Sequence, residues 1–353
     1  MNVMVNQQHL AILKQGTAVW NHWRQQHTAI HPQLRQATLN HSTLREVLLG
    51  EADLREVSLS HADCCMANLS RADLRCANLT ATNFYTAVLE GADLRQATLI
   101  KADLREANLQ NADLRQARLT AALGTMANLS GAQLREASLQ DTNLSHAALV
   151  HIDGCLADLR RANLTQADLS GARLYTANLA QATLYAAHLH QADLREVTLS
   201  QANLREADLR EADLSMAVFC VANLIGATLY KANLLRSNLS MSNLCMANLS
   251  HANLERAVII GANLIGANLY SAMLIEAVLM ESDLREASLR GANLAGADLS
   301  RANLGMANLS RANLAGANLQ HANLRQANLW EANLEGACLT GTVMPDGELY
   351  DAG

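Results

Sequence analysis

The sequence predicts a solenoid built from short paired strand segments that turn a corner in every unit. From Leu34 to Leu339 a leucine returns every five residues, and leucine fills 56 of the 62 central positions of the unit A-[D/N]-L-x-x. A period of five matches neither the 3.6-residue period of a helix nor the two-residue period of a flat strand. The only prolines, Pro32 and Pro345, bracket the tract. Because proline cannot donate to a backbone ladder, its absence in between favours continuous strand pairing.

The composition predicts one narrow, uniform core rather than several globular domains. Half of the 353 residues are hydrophobic, yet only 3% are aromatic. Leucine and alanine at fixed positions supply most of the apolar fraction. Because a repeat tract grows by stacking, the chain length sets no domain count here.

Residues 1–31 lie outside the repeat and predict a helical cap. Leu10, Leu13, Thr17 and Trp20 fall at helical spacing, and Gly16 separates two short helices at about residues 5–15 and 17–27. Isolated helices of this length are marginal in water. We therefore expect them to lie on the open edge of the first coil.

The expected domain organisation has three parts. Residues 1–31 form the cap, residues 32–344 form the repeat tract, and residues 345–353 form a turn and tail. The segment M-P-D-G near the end is typical of a turn, so we expect a final partial coil that closes in a hairpin.

The repeated unit resembles the pentapeptide repeat family throughout residues 32–344. In that family four units make one square coil, with the central residue and the residue two before it pointing inward and the other three facing solvent. The resemblance implies an all-β solenoid, a right-handed parallel (quadrilateral) β-helix, here with an N-terminal α-helical cap. The 62 units imply about fifteen coils. The W-x-x-W helix and the M-P-D-G tail resemble cyanobacterial members most.

Six units depart from the central leucine: Cys64, Phe84, Gly124, Gly154, Phe219 and Ile259. On a twenty-residue coil Cys64 and Phe84 would be stacked, so their volumes are expected to compensate. Each of the two glycines leaves a hole in the core. We expect local bulges there, with Leu123 or Leu156 turned inward.

A stripe of arginines at intervals of twenty residues is one candidate site. We call it the arginine stripe: Arg35, Arg55, Arg75, Arg95, Arg115 and Arg135. An aspartate stands two residues before four of them. The stripe either grips an acidic partner or a phosphate, or forms a solvated surface of ion pairs that individually contribute little.

The second candidate is a cluster of apolar residues at solvent-facing positions, which we call the apolar patch. It contains Val218, Cys220, Val221, Ile225, Met241, Val258, Ile260, Ile265, Val278 and Met280. An apolar patch of this size on a protein surface typically marks a contact with another protein. The alternative is that these side chains only pack along the ladder.

Several classes of function are not favoured by the sequence. A net charge of −6 argues against nucleic-acid binding, which needs a surplus of basic residues. The seven cysteines contain no CxxC pair, and the histidines do not converge, so we expect reduced thiols, no metal and no cofactor. The sequence has no signal peptide, no apolar run of membrane-spanning length and no catalytic motif. These features predict a cytoplasmic protein that is not an enzyme and has no membrane partner.

The leading functional hypothesis is a non-enzymatic scaffold or regulator that presents one face of a rigid β-helix to a protein partner. The alternative, which the family resemblance implies, is a DNA mimic that inhibits or protects a type II topoisomerase (DNA gyrase). A third hypothesis is an enzyme accessory with a ligand near Gly124 and Gly154. We expect a monomer, with an end-to-end dimer through the C-terminal coil near Trp330 and Tyr350 as the alternative.

Overall fold

The computed structural model describes residues 5–350. The chain divides into an N-terminal unit that ends at Asn178 and a C-terminal unit that begins at Leu179, and each is described by itself. Within the described residues, neither helix has the length and apolar character needed to cross a membrane.

Both units are built from coils of twenty residues. In the N-terminal unit parallel bridges run from the pair Gln33–Asp53 to the pair Asp158–Asn178, and in the C-terminal unit from Thr183–Asn203 to Asn323–Val343. The strand segments are single bridged residues at every fifth position. Because each bridge joins residues twenty apart, four five-residue units make one coil. The predicted coil length is confirmed within each unit.

Backbone hydrogen bonds explain why five residues make one side of a coil. The N–H of Leu54 donates to the carbonyl of Asp73 in the next coil (2.8 Å), and the N–H of Val57 closes a turn onto the carbonyl of Leu54 (3.1 Å). The last residue of every unit, from Gln36 to Gly341, has φ between 51° and 70°. A four-residue turn with positive φ at its third residue is typical of type II. Each unit therefore contains one strand residue and one corner.

The core is filled by the central residue and by the residue two before it. Leu54 and Ala52 are 0% and 1% exposed, whereas the other three positions of the unit are half-buried or exposed. Cys64 and Phe84, one coil apart, are both fully buried. This is the arrangement that volume compensation requires, because a small core residue leaves room for a large neighbour.

The predicted bulges at Gly124 and Gly154 are wrong. The N–H of Gly124 keeps its ladder bond to the carbonyl of Asn143 (2.6 Å). Leu123 and Leu156 point outward, 42% and 48% exposed. A β-carbon on Gly124 would lie 2.8 Å from Cδ2 of Leu144, which shows that the leucine one coil later leans into the space. A side-chain shift fills most of the hole, so the ladder is not broken.

The N-terminal residues form two helices, α1 (Gln7–Leu13) and α2 (Thr17–Gln26). The side chain of Asn6 caps α1 by accepting from the N–H groups of Gln8 and His9. The N–H of Asn6 itself donates to the carbonyl of Gln33 in the first coil (3.0 Å). Both predicted helices are present: α1 is two residues shorter than expected at each end, and α2 begins at the expected residue and ends one residue early.

Helix α2 covers part of the first coil's edge through two side chains. Trp20 is fully buried, and its Nε1 donates to the carbonyl of Leu48 (2.8 Å). Asn21 donates to the carbonyl of Glu46 and accepts from the N–H of Leu48 (both 2.9 Å). The N–H and carbonyl of Leu48 have no preceding coil to pair with, so the helix satisfies an edge that would otherwise invite another strand.

The C-terminal end closes in the predicted hairpin. Val343 and Leu349 form an antiparallel bridge, and the N–H of Gly347 donates to the carbonyl of Met344 across the turn (2.9 Å). The final three residues of the predicted tail, 351–353, lie outside the described residues.

Candidate interaction surfaces

Outward side chains line up in columns because each coil repeats after twenty residues. Within a unit, the side chain of the residue before the core leucine caps a backbone N–H group. The Oδ1 of Asn68, for example, accepts the N–H of Ser70 (3.0 Å). That N–H group has no partner in the ladder, which explains why aspartate or asparagine occupies this position so often. Stacked asparagines also bond along the column: Nδ2 of Asn313 donates to Oδ1 of Asn293 (3.0 Å).

The structure brings all six residues of the arginine stripe together along one groove of about 600 Å³ in the N-terminal unit. The guanidinium of Arg75 binds Asp73 in a bidentate manner, with Nε to Oδ1 at 2.8 Å and Nη2 to Oδ2 at 2.6 Å. The Nε of Arg75 also lies 3.4 Å from a carboxylate oxygen of Asp93 in the next coil. Ion pairs therefore run along the column rather than in isolated couples.

The opposite wall of the groove is a ladder of polar side chains at the coil corners. Nε2 of Gln96 donates to Oε1 of Gln116 (3.0 Å), and Nε2 of Gln116 donates to Glu136 (2.9 Å). The Cys76 thiol donates to Oε1 of Gln96 (3.4 Å). Both walls are thus already hydrogen-bonded along the coil axis.

The charges of the groove cancel. Hydrogen bonds from Arg55 hold the pKa of Asp53 below its usual value, and the bonds to Asp53 raise the pKa of Arg55. The two arginines without an aspartate in their own unit lie beside glutamates: Arg35 donates to Glu56, and Arg135 lies 3.6 Å from Glu136. This geometry matches the solvated ion-pair interpretation. An acidic partner or a phosphate at the groove stays a prediction.

The apolar patch lies on the C-terminal unit. Most of its members are half-buried, but Val221 and Met241 at the corners are 59% and 65% exposed, and Ile260 is 36% exposed. Val218, Val258 and Val278 occupy the strand position that asparagine or aspartate usually fills.

Polar residues bound the patch along the coil axis. The strand column reads Thr198 before Val218 and Asp298 after Val278. The neighbouring column has serines at both ends, Ser200 and Ser300. The apolar side chains therefore form a limited surface, and their occurrence is not a general feature of this face.

Valine at the strand position removes a backbone hydrogen bond. In the coil between two of the valines, Oδ1 of Asn238 accepts the N–H of Ser240 (3.0 Å). Valine has no oxygen to offer, and the N–H of Ile260 has no acceptor within residues 5–350. A typical hydrogen bond of this kind contributes roughly 1 kcal/mol. At the valine positions the patch thus lacks this stabilising hydrogen bond and exposes apolar side chains instead.

Val221 has an unfavourable backbone conformation for its type. Its φ is 61°, and among residues 5–350 it is the only valine or isoleucine with positive φ, a conformation that the β-branched Thr86 and Thr176 share. The left-handed region is a genuine outlier for a β-branched side chain. Strain of this kind, of order 1–3 kcal/mol, concentrates at functional sites.

The adjacent face adds a second column and one residue that the sequence reasoning missed. Ile225 and Ile265 are half-buried, and their N–H groups are capped by Asn223 and Asn263. Met246 at the next corner is 67% exposed. The sequence signal for it was available, because a glycine, Gly266, follows at the same corner one coil later and leaves room for the thioether.

No metal site is formed in the part of the chain that the structure describes. There is no group of three or more histidine, cysteine, aspartate or glutamate side chains arranged to hold an ion. His41 and His61 stack with ring centroids 5.1 Å apart, which leaves a pair of ligands where zinc needs at least three.

The coil geometry of each unit defines a parallel β-helix, with leucine and alanine side chains inside and columns of solvent-facing side chains outside. The sequence matches the family model described as pentapeptide repeats (8 copies) in overlapping stretches that together extend from residue 33 to residue 344. The chain belongs to the pentapeptide repeat family, and the predicted right-handed quadrilateral β-helix is confirmed.

Solved structures of family members resemble the chain to different extents. It is 38% identical to HetL, a pentapeptide repeat protein involved in heterocyst differentiation regulation from the cyanobacterium Nostoc sp. strain PCC 7120, over 69% of this chain and 91% of HetL (TM-score 0.35). It is 41% identical to Rfr23 from the cyanobacterium Cyanothece 51142, over 28% of this chain and 64% of Rfr23 (TM-score 0.25). It is 21% identical to full-length QnrB1, a plasmid-mediated fluoroquinolone resistance protein, over 54% of this chain and 90% of QnrB1 (TM-score 0.23). No curated protein matches the sequence.

Proposed function

We propose that this protein is a non-enzymatic scaffold or regulator that binds a protein partner through the apolar patch. The observation that carries the proposal is Val221, a strained β-branched residue at positive φ whose side chain is 59% exposed in the first coil of the apolar patch. A residue that strains the backbone without entering the core has no stabilising role in its own chain. Contact with a partner gives it one.

The chemistry of the patch favours an apolar protein surface as the occupant. Valine, isoleucine and methionine side chains gain about 25 cal/mol for each Å² removed from water. Methionines such as Met241 also adapt their shape to the surface they meet. No cationic side chain belongs to the patch, so it offers no counter-charge to a phosphate backbone.

The DNA-mimic alternative requires a different surface. A mimic of DNA needs a continuous acidic face, whereas the carboxylates of the arginine stripe are neutralised in bidentate pairs such as Asp73–Arg75. A supercoiling assay with DNA gyrase distinguishes the two functions, because a scaffold is expected to leave the rate of supercoiling unchanged.

We place the protein in the cytoplasm as a monomer. All seven cysteines are free thiols, the state expected in a reducing compartment. Cell fractionation and the sedimentation coefficient of the purified chain test these two expectations.

The variant Val258→Asp/Ile260→Asp tests the role of the patch. Aspartate at position 258 restores the usual side chain of the strand position, so it can cap the N–H of residue 260 and the fold is expected to survive. The matched control is Leu123→Asp/Thr125→Asp, which places two aspartates at the same positions of a unit outside the patch. Both variants add the same charge, so a difference between them reports the location of the change.

The experiment has two stages. Proteins captured by the wild-type chain from its native cytosol are identified, and each purified candidate is then titrated calorimetrically against the three chains. The proposal predicts a partner whose affinity falls at least tenfold with the patch variant and stays unchanged with the control. Equal affinity for all three chains would show that the patch is ladder packing, and the search would move to the arginine stripe.

A further inference from the structure

A second surface of the C-terminal unit carries two tyrosines with a histidine between them. Tyr230 and Tyr270 occupy the same column two coils apart, and His251 lies at the corner between them. The His251 ring meets Tyr230 edge to face at 5.7 Å and 87°, and Tyr270 at 5.3 Å and 86°. The three rings form a continuous aromatic ridge on the face next to the column of Ile225 and Ile265.

The hydroxyl groups of this ridge are unused. Other tyrosines of the chain donate to a glutamate of the next coil, as Tyr85 does to Glu106 (3.1 Å) and Tyr185 to Glu206 (2.9 Å). Neither Tyr230 nor Tyr270 has a hydroxyl partner among residues 5–350. The ridge therefore offers two free O–H donors beside two aromatic rings, and the Lys231 ammonium lies over the ring of Tyr230, 5.2 Å from its centroid.

Between the tyrosines the imidazole of His251 fills the intermediate coil. Ser250, which shares the tyrosine column, is 8% exposed and donates its hydroxyl to Oδ1 of Asn248 (2.7 Å). A ligand that lies along the ridge therefore meets an aromatic ring at each end and the imidazole between them.

The spacing of the tyrosines selects a ligand conformation. Two coils separate them by ~9.6 Å along the axis, since paired strands lie ~4.8 Å apart. A polyproline II helix advances ~9.3 Å in one turn of three residues. An extended strand repeats its side chains every ~6.8 Å and fits this spacing less well. Proline-rich segments in this conformation bind to aromatic side chains, and the two hydroxyl groups of the ridge are free to donate to carbonyls of such a segment.

We propose that the ridge of Tyr230, His251 and Tyr270 binds a proline-rich segment of a partner protein in the polyproline II conformation. The segment carries an acidic residue next to the proline that packs on Tyr270. Arg290 supplies the counter-charge: it lies one coil beyond Tyr270 in the same column, is exposed, and has no ion pair within the described residues. This inference goes beyond the function proposed above, because it concerns another face and another class of ligand.

Fluorescence anisotropy with the full chain and fluorescein-labelled decaproline tests the proposal. Decaproline is expected to bind the wild type, and a decaproline with one aspartate at its end is expected to bind more tightly. Tyr230→Ala and Tyr270→Ala are each expected to weaken binding about tenfold, the effect of losing one aromatic contact of roughly 1.4 kcal/mol. Tyr85→Ala is the matched control, because it removes an exposed tyrosine from a unit without the ridge.

Two further measurements make the test specific. Arg290→Ala should abolish the advantage of the aspartate-bearing peptide and leave decaproline binding unchanged. A labelled Thr-Val repeat of the same length, which favours extended strands, should bind more weakly than decaproline. The proposal is overturned if decaproline does not bind, if the two tyrosine variants bind like Tyr85→Ala, or if the Thr-Val peptide binds as well. Thermal unfolding of each variant confirms that the coils remain folded.

Discussion

The thioether sulfur of Met241 lies over Gly261, only 2.8 Å from where a β-carbon of that residue would be. The same relationship recurs at the next corner, where the sulfur of Met246 would lie 2.6 Å from a β-carbon of Gly266. Both glycines have positive φ, 62° and 65°. They do more than permit a corner, because they allow two exposed methionines to lie along the surface of the apolar patch.

Replacement of Gly261 by alanine is expected to destabilise the coil and displace Met241. Alanine at positive φ costs roughly 1 kcal/mol, and the contact with the sulfur adds to that cost unless the methionine moves. The control is Gly316→Ala, which has a similar φ of 66° but no atom within 4 Å of the new β-carbon. The midpoints of urea unfolding measure both effects.

The comparison separates backbone strain from displacement of the methionine. Gly316→Ala reports the conformational cost alone, so the additional shift of Gly261→Ala reports the contact with Met241. Partner binding should weaken only in the Gly261 variant. Identical midpoints for the two variants would mean that Met241 moves away freely and does not help to shape the patch.

Val221→Gly is expected to increase stability and weaken partner binding at the same time. Glycine relieves the strain of a β-branched residue at positive φ, and we expect a gain of about 1 kcal/mol in the free energy of unfolding. It also removes one of the most exposed apolar side chains of the patch. The control Gln201→Gly changes the same corner one coil earlier, where the side chain is not β-branched.

An increase in stability together with a decrease in partner affinity is the result that indicates a binding role for Val221. If Val221 were retained for stability, the protein would lose stability when Val221 is changed to glycine. Partner binding would then weaken only because the fold is less stable. Urea unfolding and calorimetric titration of the partner measure the two quantities on the same protein. A loss of stability in Val221→Gly would contradict the strain argument.

Periodic features could be predicted from the sequence, whereas features set by one side chain's conformation could not. The five-residue phase fixes which positions are buried, so it places Leu54 inside and Val221 outside. It cannot show that Leu144 leans toward Gly124, because that depends on the rotamer that packing selects. For the same reason the sequence indicated a stripe of arginines but not the bidentate pairing of Arg75 with Asp73.

The same distinction between periodic and side-chain features applies to the candidate surfaces. The members of the apolar patch were visible as apolar letters at outward positions. Met246 also stands at an outward corner, so its exposure follows from the phase, and only its contact with Gly266 one coil later depends on the folded structure. The ridge of Tyr230, His251 and Tyr270 was missed because its members share a face only once twenty residues are wrapped into each coil.

Asp103→Asn is expected to destabilise the protein at pH 7 and to have a smaller effect at pH 3. Hydrogen bonds from Arg105 hold the pKa of Asp103 below its usual value. A carboxyl group with a lowered folded-state pKa contributes stability above the unfolded pKa of about 4, and this stability is lost as the pH falls through the folded value. Both side chains are partly exposed, so the expected loss at pH 7 is below about 1 kcal/mol.

Another unit provides a natural reference for this change. Asn203 stands before Arg205 and caps its N–H at 3.3 Å, as an asparagine at position 103 would cap Arg105. The asparagine variant therefore retains the backbone bond and loses only the charge pair. Urea unfolding at pH 7 and pH 3 measures the change, and a difference from the wild type that is the same at both values would show that the ion pair is not its cause.

Trp20→Ala is expected to open the N-terminal edge of the β-helix. Trp20 is fully buried and donates to the carbonyl of Leu48, so its truncation should cost about 3–5 kcal/mol locally. Coils stabilise mainly their neighbours, so the loss should be confined to this end. Hydrogen exchange should accelerate at the N–H of Leu48, and the freed edge should promote self-association in sedimentation experiments.

Trp330→Ala is the control, because that side chain is 56% exposed and should change stability by less than about 0.5 kcal/mol. Unchanged exchange at Leu48 would show that α1 and α2 do not protect the first coil.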